Sequence, residues 1–140
     1  MAQGLNSIGD EVADSGLHVV VLSVRRLPGD NPRPNWCWAV ARIRFTCTDK
    51  YHHNIDYYRC FVRTKRYGIE QMVPLYEHPK SYTANDFLLW DTILTKRGAV
   101  AEGDICFEAP ISDPETSLII LSGAGDTAEW KIGSLYKIAL

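Results

Sequence analysis

At 140 residues, with 46% apolar and 23% charged side chains, the chain has enough material for one hydrophobic core that needs no metal or disulfide staple. Its formal net charge of -2 gives no global pull toward nucleic acid or anionic lipid. No apolar run, Val19 to Leu22 among them, comes near the ~18 residues that a membrane-spanning helix requires, so no membrane span is expected.

Residues 1–11 read as a loosely ordered lead-in with acids and no basic, apolar leader, and residues 12–140 as a single domain. Ala13-Asp14-Ser15-Gly16 has turn composition, and LHVVVLSVRRL over 17–27 predicts a covered strand with a β-branched centre. The proline-rich stretch 28–34 is incompatible with a helix and predicts a rigid loop. The clearest strand spans 36–48. Ala39, Ala41, Ile43, Phe45 and Cys47 fall on one face, Arg42, Arg44, Thr46 and Thr48 on the other, and a one-residue slip would bury both arginines. After a polar loop at 49–54, a strand is expected over 55–64 with either face inward. Lys65-Arg66-Tyr67-Gly68 then predicts a hairpin turn and 69–73 a return strand. Residues 75–86 read as irregular, with room for a helical turn near 83–87, and 88–94 as a short strand.

The stretch 98–123 is read as the centre of the domain. Ile105, Phe107 and Ala109 alternate with Asp104, Cys106 and Glu108, and Leu118 to Leu121 is apolar on both faces. Pro110 and Pro114 belong between the two runs, which predicts an antiparallel pair. A last strand is expected over 128–138, broken at Gly133. Short strands at regular intervals without an amphipathic helix predict an all-β, two-sheet antiparallel sandwich of roughly seven to nine strands. Cys37, Cys47, Cys60 and Cys106 have neither metal-knuckle nor redox spacing and read as buried free thiols, with a Cys47–Cys60 bridge as the alternative.

Ile8-Gly9-Asp10-Glu11-Val12, Gly16-Leu17-His18-Val19 and Val21-Leu22-Ser23-Val24 resemble the opening of an uncharacterised immunoglobulin-like family of bacterial lipoproteins and secreted antigens. Arg42-Ile43-Arg44-Phe45, Gly103-Asp104-Ile105-Cys106-Phe107-Glu108-Ala109-Pro110 and Leu118-Ile119-Ile120-Leu121 extend the resemblance. It implies an immunoglobulin-like sandwich displayed outside the membrane, often tethered through a lipidated cysteine, and it brings no catalytic residues with it.

His52 and His53, near Asp49 and Asp56, invite a metal reading, but adjacent histidines on an extended loop point apart, so neither a metal nor another cofactor is expected. No serine, cysteine or histidine sits in an activated context, so no enzyme is expected. The most informative constellation is Arg42, Arg44, Arg59, Arg63, Lys65 and Arg66 interleaved with Tyr57, Tyr58 and Tyr67. On neighbouring strands, Arg42, Arg44, Tyr57, Arg59 and Arg63 would make a binding patch. Arginine with aromatics serves protein contacts and single-stranded nucleic acid alike. Trp36 and Trp38 share one face, as core or as a contact patch. The leading expectation is a non-catalytic interaction module of the cell envelope or a secreted protein, binding a protein or other macromolecule. A cytosolic nucleic-acid-binding sandwich is the alternative, although nucleic acid is not the expected partner.

Overall fold

The computed structural model describes residues 4–27, 31–72, 88 and 92–135. A first sheet has the order β1 (Glu11–Asp14), β2 (Leu17–Arg26), β3 (Trp36–Cys47) and β8 (Val100–Pro110). A second has the order β10 (Thr127–Lys131), β9 (Ser117–Leu121), β5 (Arg59–Thr64) and β6 (Gly68–Met72). Two residues each from β4 (His53–Asn54) and β7 (Ile93–Leu94) form a small third sheet. The pairings within these sheets are antiparallel. Among the described residues eight strands thus build the sandwich, β1-β2-β3-β8 in one sheet and β6-β5-β9-β10 in the other. No helix among the described residues is long and apolar enough to cross a membrane.

β3 carries the alternation expected of it. Cys37, Ala39, Ala41, Ile43 and Phe45 are fully buried, while Arg42, Arg44 and Thr46 are half-buried on the outer face. The inward side chains of both sheets, Trp130 and Phe45 the largest, form one continuous core. On the outer face of the first sheet, Leu27, Val40 and Cys106 form a separate small cluster with Trp38 against it. Trp36 is buried on that same face.

The two runs expected to pair as a central hairpin instead lie in opposite sheets. β8 pairs with β3, and β9 pairs with β5 and β10. Pro110 closes β8, and the following link carries the chain across the sandwich edge, where Ile111 N–H donates to the Asn35 carbonyl at 2.9 Å. Strands that are both apolar on their inner faces can face each other across a core as readily as they can pair, and here they face. The strand expected over 55–64 also starts later. Ile55–Tyr57 is a 3-10 turn capped by the Asn54 side chain, and β5 begins at Arg59. Cys60, Val62 and Thr64 point inward, which settles its face. β10 ends at Lys131, where the amides of Ile132 and Gly133 both turn to the Thr116 carbonyl.

β7 falls at the end of the strand expected over 88–94, while residues 89–91 and the irregular segment 75–86 with its helical turn lie outside the described residues. The lead-in is held at several points. Asn6 bridges to Trp130, Gly9 N–H donates to the Val21 carbonyl at 2.8 Å, the Trp130 indole donates to the Asp10 carbonyl at 3.0 Å, and Glu11 already belongs to β1.

All four cysteines are buried and free, so Cys47 and Cys60 are not bridged. Burial pushes the Cys60 and Cys106 thiols up to about 12 and raises Cys37 as well. Denatured, unreduced protein is expected to titrate four sulfhydryls, and native protein to react slowly with thiol reagents. A titre of two would show a bridge. Because folding raises these pKa values, the stability they contribute is complete below the unfolded thiol value of about 8.5 and is lost as pH rises from there toward about 12.

Candidate functional site

The register of β3 against β8 sets Arg42 directly opposite Asp104 and Arg44 opposite Glu102. Cross-strand charge pairs follow from that placement. Arg42 donates from Nε and Nη2 to Glu102 Oε2 at 3.1 and 2.9 Å, and from Nη1 to Asp104 at 3.4 Å. Arg44 reaches Glu102 at 3.7 Å and Arg25 reaches Asp104 at 3.5 Å. The hydrogen bonds to Glu102, above all, raise the Arg42 pKa further.

Arg59 and Arg63 lie on β5, in the other sheet. Arg63 Nε sits 3.2 Å from Glu129, which also accepts from the Ser117 hydroxyl. Arg59 donates to the Asp56 and Tyr58 carbonyls at 2.8 and 3.0 Å, and Tyr57 lies in the 3-10 turn. The strand bearing Arg42 and Arg44 is therefore not a neighbour of the one bearing Arg59 and Arg63, and these four arginines do not form one patch. A single patch required the strands to share a sheet, which sequence spacing does not specify.

A basic and aromatic surface does exist, at the end of the sandwich where β3 begins. The Arg33 guanidinium stacks 3.6 Å over the ring of Trp36. Trp36 meets Tyr67 with ring centroids 5.0 Å apart, and Arg66 lies 5.5 Å from the Tyr67 ring. Arg33 also pairs with Glu70 at 2.9 Å and Glu108 at 3.6 Å, so the stack bridges the two sheets. The β5–β6 turn that carries Tyr67 is pinned. Asp113 accepts from the Lys65 and Arg66 amides at 2.9 and 3.4 Å, and Thr64 Oγ1 accepts from the Tyr67 amide at 2.8 Å. Tyr67 and, beside it on β6, Ile69 stay 42% and 53% exposed, a large apolar surface on a held turn. Lys65, Arg66 and Tyr67 belong to the expected constellation. Arg33, Trp36 and Ile69 join it only through the fold.

The opposite end of β3 gathers a different set. Ser15 and Gly16, with φ of 46° and 90°, make the two-residue turn between β1 and β2. Here glycine is obligatory. A Cβ on Gly16 would stand 2.0 Å from Asp49 Oδ2 and 2.8 Å from His53 Nε2. His53 Nε2 is 2.7 Å from Asp49 Oδ1, and this hydrogen bond is the main reason the Asp49 carboxyl sits below the usual carboxylate range. The buried Cys47 thiol donates to the Asp49 carbonyl at 3.2 Å. Deeper in, the Tyr58 hydroxyl donates to the buried Asp14 carboxylate, and burial raises the tyrosine pKa strongly. A cleft of ≈ 300 Å³ opens over this end, lined by Asp14, His52, His53, Tyr58 and Ser122 among others. In the sequence His52 and His53 both lie near Asp49. The structure keeps His53 with Asp49 and leaves His52 outside that contact.

No family model matches the chain, and no curated protein matches it. Solved structures share the fold, a small β-sandwich, and the proteins they come from include a secreted protein and a putative lipoprotein. The secreted protein MPT63 from Mycobacterium tuberculosis superposes with a TM-score of 0.61 at 13% identity, covering 91% of this chain and 96% of its own. The putative lipoprotein ycdA from Bacillus subtilis gives 0.58 at 12% identity, covering 92% of this chain and 39% of its own. An uncharacterised β-sandwich protein from Clostridium difficile gives 0.51 at 10% identity, covering 94% and 98%. At these identities the likeness is one of fold.

Proposed function

We propose that the chain is a non-catalytic interaction module, working at the cell envelope or after secretion, that binds a protein partner through its β5–β6 turn. The observation that carries this reading is the Arg33–Trp36–Tyr67–Arg66 stack, which presents Tyr67 and Ile69 on a turn pinned by Asp113. Aromatic and arginine side chains on a pre-ordered support concentrate binding energy, because little conformational freedom remains to be lost on contact. Secretion and lipoprotein character are what two of the similar structures' names describe for those proteins, and they motivate the exported setting here. The nucleic-acid reading is the weaker one, because Arg42, Arg44 and Arg63 are already paired with Glu102, Asp104 and Glu129.

A photo-crosslinking side chain placed at Ile69 should give a discrete protein adduct in the producing cell or its medium, competed by unlabelled protein. The same group at Val100, equally exposed but at the other end of the first sheet, should not. Tyr67→Ala should weaken the competition tenfold or more, as loss of an aromatic anchor does. Adducts of equal strength from both positions would sink the assignment to this turn. Binding to a single-stranded oligonucleotide at physiological salt, falling on a log–log plot by about 0.7 per neutralised phosphate, would favour the nucleic-acid reading instead.

A further inference from the structure

β3 ends on Cys47, and the loop that follows turns back so that His53 and Asp49 lie beside it. One thiol sulfur, one carboxylate oxygen and one imidazole nitrogen fall within 4.8 Å of one another. We propose that Cys47 Sγ, Asp49 and His53 Nε2 form a binding site for a divalent cation of the zinc type, a function separate from the turn at the far end of β3.

Three observations carry the assignment. The first is distance. A tetrahedral centre with bonds of about 2.0–2.3 Å holds its donors about 3.3–3.7 Å apart. The separations here, 2.7 Å between His53 Nε2 and Asp49 Oδ1 and 3.9 Å between Cys47 Sγ and the same oxygen, bracket that range. The second is packing. Gly16 lays bare backbone against the pair, and a side chain there would meet both Asp49 and His53 and force them to shift. The Tyr51 amide, donating to Asp49 Oδ1 at 3.0 Å, orients the carboxylate from the other side, as a supporting partner orients a metal ligand. The third is the cleft. His53 lines it, and so does Ser122, which is 94% buried yet whose hydroxyl finds no hydrogen-bond partner among the described residues. A buried hydroxyl left unpaired in the cleft that His53 also lines marks a place where a water or small ligand belongs.

The donor set selects the ion. A thiolate and an imidazole exclude the hard cations calcium and magnesium and suit zinc or cobalt. Thiolate, carboxylate and neutral imidazole together carry two negative charges and cancel those of the cation. On binding, the Cys47 S–H bond breaks and its proton goes to solvent. His53 binds as neutral imidazole, its proton on Nδ1. No electron is transferred. Three protein ligands leave a fourth position for water, which is the arrangement of an open zinc centre.

Cobalt(II) is the probe. Reduced protein titrated with Co²⁺ should saturate at one equivalent and develop both a thiolate-to-cobalt charge-transfer band and visible bands of tetrahedral intensity, both erased by Zn²⁺. Proton release should accompany binding. Cys47→Ser should remove the charge-transfer band, and His53→Gln should weaken binding at least tenfold, whereas His18→Gln, paired elsewhere with Glu11, should change neither. If a variant fails to fold, the wild-type spectrum and the zinc content of the protein by native mass spectrometry still decide. Absence of binding at about 100 µM metal, a spectrum without the sulfur band, or binding indifferent to His53→Gln would overturn the site and leave a hydrogen-bonded thiol beside an ion pair.

Discussion

Phe45→Ala is expected to destabilise the protein by about 3–5 kcal/mol, the cost of a large cavity in a packed core. Phe45 is fully buried on β3 and meets the edge of Tyr58 with ring centroids 4.9 Å apart. The neighbouring substitution, Arg44→Ala, removes an outward side chain whose ion pair with Glu102 is partly solvated, so it should cost about 1 kcal/mol or less. Urea unfolding of both variants tests the register of β3 directly. Equal losses would mean that the strand does not present Phe45 inward and Arg44 outward.

Tyr58→Phe should cost about 1.5–3 kcal/mol although it deletes a single oxygen, because hydrogen bonds to charged groups are the strong ones and Asp14 is left buried without its donor. Asp14→Asn should recover part of that loss in the Tyr58→Phe background, since a neutral amide suffers less from an incomplete set of partners. The four proteins make a double-mutant cycle, read by denaturation midpoints at unchanged m-value. Additive effects would show that the two groups are not coupled and that the buried carboxylate is satisfied in another way.

How much of this was legible beforehand depends on the kind of contact. β3 was readable to within a residue, because period-two alternation is local and Arg42 and Arg44 forbid the slipped register. The sandwich class followed from strands of that kind. The partners of β8 and β9 were not readable. Each run carries the same inward apolar pattern whether its neighbour pairs with it or faces it, and the short link between them fits both. The supposed arginine patch failed for the same reason, since Arg42 and Arg63 share a surface only if β3 and β5 share a sheet.

Arg33 and Trp36 were visible as residues, but their meeting with Tyr67 depends on how the two sheets stack. At the other end, Cys47, Asp49 and His53 stand close in the chain, and that spacing was the available signal. It was masked because Cys47 also completes the inward face of β3 and so reads as a core thiol, while the metal question was weighed on His52 and His53 with Asp49 and Asp56, without Cys47.

The pairing of β3 with β8 also sets the timing of folding. During synthesis β3 emerges with only β2 beside it, and its other edge waits until everything from β4 to β7 has been made. β5 waits in the same way for β9. The free edges of β3 and β5 are therefore both paired by one late stretch, Val100–Pro110 followed by Ser117–Leu121. Pairings this distant in the chain form slowly, since a long loop must close before any contact rewards it. The growing chain thus keeps one edge of β3 and one edge of β5 unpaired until that stretch arrives, and β10 is added outside β9 only after it.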